Sequence, residues 1–187
     1  GQSTIYEITF IFRKIFMIKL EPYNQQWPFM YEQEKTDLLK VSGKWNIAVE
    51  HIGSTAVPGI HAKPIIDIMS GVSSLSVADQ HLIEAYPALG YDYIAAYEQN
   101  MPQRRYFQKN NVYKVRTHQI HLVEHGSEFW RRHLLFRDYL RVNPAVAKAY
   151  AEHKLQLAPR YIDSNEYAMA KNDFIRAIEN EALAKFL

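Results

Sequence analysis

Cysteine is absent from this 187-residue chain, which excludes disulfides, thiol nucleophiles and thiolate zinc sites and fits a reducing compartment, so a cytoplasmic protein is expected. Long apolar runs are missing as well. Residues 5–18 are rich in β-branched and aromatic side chains, but Glu7, Arg13 and Lys14 interrupt them and no small-residue cleavage site follows, so they are too short and too charged to span a bilayer. No membrane partner is expected. There is no internal repeat, low-complexity tract or Gly/Ser linker, and the chain reads as one folded unit. Nor does one sign of charge dominate: 22 basic against 20 acidic residues leave a formal net charge of +2, too mild by itself to imply nucleic-acid binding. With 48% hydrophobic and 22% charged residues, the composition is that of a globular protein with an ordinary core.

The most informative stretch runs from Glu50 to Ile68. An apolar run from Asn46 to Ile52 ends in Gly53-Ser54, a Pro58-Gly59 loop follows, and a second apolar run delivers one carboxylate, Asp67. A Gly-Ser turn at a strand end can present backbone N–H groups and a hydroxyl to a phosphate, because glycine allows close approach and positive φ. A carboxylate on the neighbouring strand could hold Mg²⁺ against the same phosphate. Two readings therefore stand side by side: a phosphate and metal site, or an ordinary loop beside a hydrogen-bonded buried acid.

Around this stretch the periodicity predicts a helix over 24–40 closed by Gly43, with Trp27, Tyr31, Leu38 and Leu39 as its apolar stripe, then strands near 46–52 and 64–70. Ser76 with Asp79 resembles a capping box for a helix ending at Gly90, and a short strand follows at 91–95. Residues 103–123 alternate as a hairpin with Asn110-Asn111 as its turn, a register that sets Arg105 opposite Arg116 with room for an anion between the guanidinium groups. From Ser127 onward the pattern is helical: Ser127 caps a helix to Val142, Asn143-Pro144 starts the next, and Asp163 with Glu166 caps a terminal one. Arg131, Arg132, Arg137 and Arg141 on the first of these read as a mostly solvated face with Asp138. A small sheet followed by helices implies an α+β domain with a C-terminal helical layer.

The segment from Glu50 to Ile68 also resembles the signature of the GrpB-like family of the nucleotidyltransferase superfamily, as do Arg104-Arg105-Tyr106-Phe107, Arg116 to His121, and Trp130 to Leu140. The likeness covers residues 18–187, leaving 1–17 as an extension outside the family that could add a strand or pack on a neighbour. It implies a nucleotidyltransferase-like mixed or antiparallel sheet flanked by helices. It further implies Gly53, Ser54 and Thr55 on phosphate, Lys63, Arg104, Arg105 and Arg116 countering negative charge, and Asp67 on a divalent metal, Mg²⁺ or Mn²⁺. The superfamily's second acidic metal ligand would stand two residues on, where this chain has Met69, a poor donor for a hard cation. Two functions follow. One is nucleotidyl transfer to an acceptor hydroxyl or amine with His121 or Glu50 as base. The other is a non-catalytic module that binds a nucleotide or other phosphorylated small molecule and has lost the second carboxylate. Nucleic acid is a poorer fit, since base stacking needs Tyr106, Phe107 and Tyr113 exposed.

Overall fold

In the computed structural model, which describes residues 4–9 and 17–186, a five-stranded mixed sheet is built from β1 (Ala48–Ile52), β2 (Ile66–Val72), β3 (Asp92–Tyr93), β4 (Arg104–Asn110) and β5 (Arg116–Glu124) in the order β1-β2-β5-β4-β3. β2 and β5 pair in parallel and every other pair is antiparallel. The α+β class is therefore as expected. β2 is buried at every position but one, as a central strand covered on both faces should be; the exception is Asp67.

Because side chains alternate along a strand, the register divides the sheet cleanly. On one face lie Val49, Ile66, Ile68, Phe107, Ile120 and Leu122, all part of a core closed by helix α1 (Trp27–Ser42) and by Leu82 and Tyr86. On the other lie Ile52, Asp67, Met69, Gln119, His121, Tyr106 and Arg104. That face is covered by α2 (Glu128–Val142), whose Phe129 and Trp130 pack on Ile52, Met69 and Val123. Each fully buried large apolar side chain contributes about 1.5–3 kcal/mol, so two such layers hold the sheet rigidly between them. Behind α2 stand α3 (Pro144–Leu157), α4 (Ser164–Ala170) and α5 (Asn172–Phe186). Ser127 accepts from the Trp130 N–H and Asp163 from the Asn165 and Glu166 N–H groups, as their spacing predicts.

Several expectations need correction. α1 begins at Trp27 because Asn24 Oδ1 accepts from the Gln26 N–H and holds a turn, with Pro28 opening the helix. Glu34, not Leu39, fills the buried stripe of α1. The cap before residue 75 is Ser74, which accepts from the Val77 N–H, and the helix expected through Leu89 breaks into a short α turn, a π turn over Ala78–Leu82 and a 3₁₀ turn at Tyr86–Leu89. The hairpin loop spans 111–115, with Asn111 Oδ1 accepting from Tyr113 and Val115 N–H groups. That loop and a bulge set Arg105 against Leu122 and Arg116 against Asn110, so Arg105 and Arg116 do not face each other. Residues 4–9 are helical and exposed, so the added strand is not seen there; the rest of that expectation falls outside the described residues.

Candidate functional site

β1 and β2 meet at Ile52 and Asp67, so the turn that leaves β1 lies directly over the carboxylate. Gly53 makes this possible: its φ is +71°, and a Cβ added there would come within 2.9 Å of Asp67 Oδ2. Ser54 follows in a turn over Ser54–Ala56, and its hydroxyl meets that of Tyr150, opposing the burial-driven rise of the Tyr150 pKa. The Thr55 hydroxyl turns inward, donating to the Ile65 carbonyl at 3.1 Å and meeting His51 Nε2 at 3.0 Å. Thr55 therefore braces the loop and its side chain does not face a ligand.

The parallel pairing of β2 with β5 brings His121 to Asp67, with Nε2 2.7 Å from Oδ1. Arg104 Nη1 lies 3.0 Å from the other ring nitrogen, Nδ1. A guanidinium only donates, so Nδ1 accepts, the proton sits on Nε2 facing Asp67, and the ring is neutral. Its lone pair is thus occupied, and His121 in this arrangement positions Asp67 instead of acting as a free base. Burial raises the Asp67 pKa, but the adjacent His121 ring, helped by Gln119 and by more distant His133, outweighs it and holds the carboxyl below its usual range.

Other basic groups gather on the same face. The bulge between Lys109 and Asn110 shifts the register so that Arg116 pairs with Asn110, which shares a face with Gln108 and hence with Gln119 and Asp67. Arg116 accordingly lowers the pKa of Lys63 and opposes the burial-driven rise of Tyr106. Lys63 Nζ donates to Ser164 Oγ at 3.0 Å and stands 5.0 Å from the centre of the Tyr167 ring, while Lys171 Nζ stands 4.5 Å from it. Burial, then Lys63, pushes the Lys171 amine down to about 8, and Asp67 pulls the other way. Three side-chain polar atoms in the described residues are buried without a hydrogen-bond partner, Arg104 Nε, Arg116 Nε and Tyr167 OH, while Asp67 Oδ1 has His121 Nε2 alone. Native proteins rarely leave such atoms orphaned. Here all three belong to one group of neighbours around Asp67.

Other candidates lie elsewhere. Arg105 points to the opposite face and pairs with Asp79 at 2.7 Å and Glu98 at 3.0 Å. His118, as its parity requires, also faces away, 3.6 Å from Glu34. Glu50 is opposite Met69 on the site face, but Arg137 Nη1 holds it at 2.6 Å. Arg137 is buried, donating also to the His51 carbonyl, and Arg141 Nε donates to the Ala56 carbonyl at 2.9 Å. These two arginines clamp the loop and are not a solvated face; Arg132, paired with Glu179, is. Met69 is fully buried among Ile52, Val123, Phe129 and Trp130. Tyr106 and Phe107 are buried while Tyr113 is exposed. A groove of about 450 Å³ lined by Pro58, Ile60, Leu140 and Ala147 touches none of the orphaned groups. Sequence reading missed Tyr167, Lys171 and Lys154. Only Lys154 carried a signal, since its spacing from Tyr150 and Leu157 puts a lysine on the buried stripe of α3.

A mixed sheet that carries a Gly-Ser turn over one carboxylate, with basic residues from strands and helices converging on it, defines an α+β protein with a polar candidate site. The chain belongs to the GrpB protein family, which matches residues 17–181. It is 43% identical over 161 residues to the UPF0157 protein YqkA of Bacillus subtilis, covering 86% of this chain and 46% of that one. It thus spans about half of that relative's length. The glutamate-rich protein GrpB of Alkalihalophilus pseudofirmus is 34% identical over 165 residues, covering 87% of this chain and 94% of that one. The crystal structure of conserved protein GrpB from Enterococcus faecalis superimposes with a TM-score of 0.80 at 38% identity, covering 90% of this chain and 99% of that one. Among the described residues no helix is long and apolar enough to cross a membrane.

Proposed function

We propose that this domain binds a nucleotide or another phosphorylated small molecule between the Gly53-Ser54 turn, the Asp67 face of the sheet and the helical layer. The observation that carries this reading is the set of buried orphans, Arg104 Nε, Arg116 Nε and Tyr167 OH, beside the Asp67 carboxylate. All three are donors an anion would satisfy, and the Asp67 carboxylate beside them is the oxygen donor a cation would take. Lys63 and Lys171 add charge beside them.

The residues fit one divalent cation and not two. Mg²⁺ or Mn²⁺ commonly rests on one carboxylate together with ligand phosphates and waters, and Asp67 supplies that carboxylate. A second acidic ligand is lacking: Met69 is sealed in the core and Glu50 is committed to Arg137. Among the described residues no group of three or more acidic, His or Cys side chains is placed to share a metal. Binding without two-metal nucleotidyl transfer is therefore the favoured reading, and His121 and Glu50 have structural partners in place of a base's freedom.

Thermal shift with ATP, with and without Mg²⁺, tests the proposal. ATP should stabilise the wild type, more so with Mg²⁺, since a ligand stabilises what it binds. Asp67→Asn should lose the metal-dependent increment and keep a metal-free one. Equal increments in both proteins would remove Asp67 from the metal, and no shift with any nucleotide or sugar phosphate would end the reading.

A further inference from the structure

Beneath the phosphate-facing loop lies a cation with no counter-ion. Lys154 of α3 is 1% exposed, and its Nζ donates to the His61 carbonyl at 2.5 Å and stands 4.9 Å from the centre of the Tyr150 ring. No carboxylate of the described residues lies within ion-pair distance of it, nor of Lys63, Arg116 or Lys171. Asp67 acts on Lys171, and Asp163 on Lys63, from further away. The His61 carbonyl and the Tyr150 ring touch the Lys154 amine and Lys171 is the charge that acts on it; Lys171 in turn feels Lys63 and Asp67, and Lys63 feels Arg116 and Asp163. His153 is turned aside, stacked on Phe174 at 4.4 Å. Burying a charge without a partner is costly, and the group sheds its proton instead. Burial, then Lys171, brings the Lys154 amine down to about 7.

We propose that Lys154 is a proton-linked counter-charge for the ligand: an anion seated against Lys63, Arg116 and Lys171 draws a proton from solvent onto the Lys154 amine. The ligand supplies the counter-ion the cluster lacks, so the ammonium form becomes favourable only when the site is filled. Lys154 also ties the event to the fold, because its acceptor, His61, lies on the loop that carries Lys63, and Tyr150 reaches Ser54 at the loop's other end. This inference rests on the binding reading above.

Binding of ATP without metal, measured calorimetrically between pH 7.5 and 9 in buffers of different ionisation enthalpy, tests it. Above about pH 7.5 the terminal phosphate, with its second pKa near 6, contributes few protons of its own. The wild type should take up a proton on binding, and its affinity should fall by up to about tenfold per pH unit across this window. Lys154→Met should take up fewer protons than the wild type and show a flatter pH profile, the uptake that persists belonging to Lys171, whose amine sits at about 8. Lys154→Arg, charged at every pH used, should do the same if the methionine variant folds poorly. Uptake in both variants equal to the wild type would overturn the proposal while leaving the binding reading intact. Binding with no uptake in the wild type would do so too. Absence of ATP binding at every pH by folded wild-type protein would overturn both.

Discussion

Met69 shows how one residue limits what a site can do. It occupies the position two after Asp67, on the same face, where an oxygen ligand would complete a two-metal arrangement. The structure adds that the position is dry: Met69 is packed against Phe129 and Trp130 with no exposure. Restoring an acid there should not restore a metal site. Met69→Asp would bury a carboxylate among apolar side chains and should destabilise the fold by about 3–5 kcal/mol, read by urea denaturation, with no gain in Mg²⁺-dependent stabilisation. A stable Met69→Asp protein that binds Mg²⁺ more tightly would show that α2 can yield to a second ligand. Asp67, Gly53 and Met69 were legible in the sequence because they lie in one strand-loop-strand stretch whose parity is fixed. Lys171 and Tyr167 were not, because they arrive from a helix and its C-terminal cap about 100 residues away through tertiary packing that no local pattern records.

At the scale of elements, strands and caps were read well where local chemistry decides them. Ser127, Pro144 and Asp163 mark helix starts through their own hydrogen bonds or missing N–H. Register was harder, since a single extra residue reverses a face. The bulge at Thr117 does this: residues 116 and 119 share a face although three apart, which parts Arg116 from Arg105 on the other side. Inserting one residue between Lys109 and Asn110 would give Thr117 a partner, restore regular alternation and swing Arg116 toward α1. Sulfate should then lose the stabilisation it gives the wild type beyond chloride of equal ionic strength, with circular dichroism unchanged. Arg132→Gln, on the solvated face of α2, is the control and should keep it. An insertion variant that still responds to sulfate would mean that Arg116 does not depend on the bulge to reach the anion.

Across the whole molecule, a histidine on the sheet and a lysine in the helical layer are buried without a counter-ion, and both push stability in one direction with pH. His51, stacked on Tyr31 at 4.8 Å, is brought down to about 4 mainly by burial, against a pull from Asp67. Its ordinary value is 6.5, so between pH 4 and 6.5 the unfolded chain holds more protons than the folded one. Stability from this group is therefore complete above pH 6.5 and lost as pH falls toward 4. Lys154 repeats the pattern higher, from about 7 folded to an ordinary 10.5, so stability should keep rising above neutrality where many proteins have levelled off. The two windows separate by substitution. His51→Gln should flatten the slope of urea-unfolding free energy below pH 6.5 and leave the alkaline slope alone, whereas Lys154→Met should flatten the slope above pH 7 and leave the acid one. Added ATP should flatten the alkaline slope in the wild type as well, because a filled site lets Lys154 keep its proton when folded. An alkaline slope that survives Lys154→Met, or that ATP leaves untouched while it binds, would place the titration elsewhere in the basic cluster.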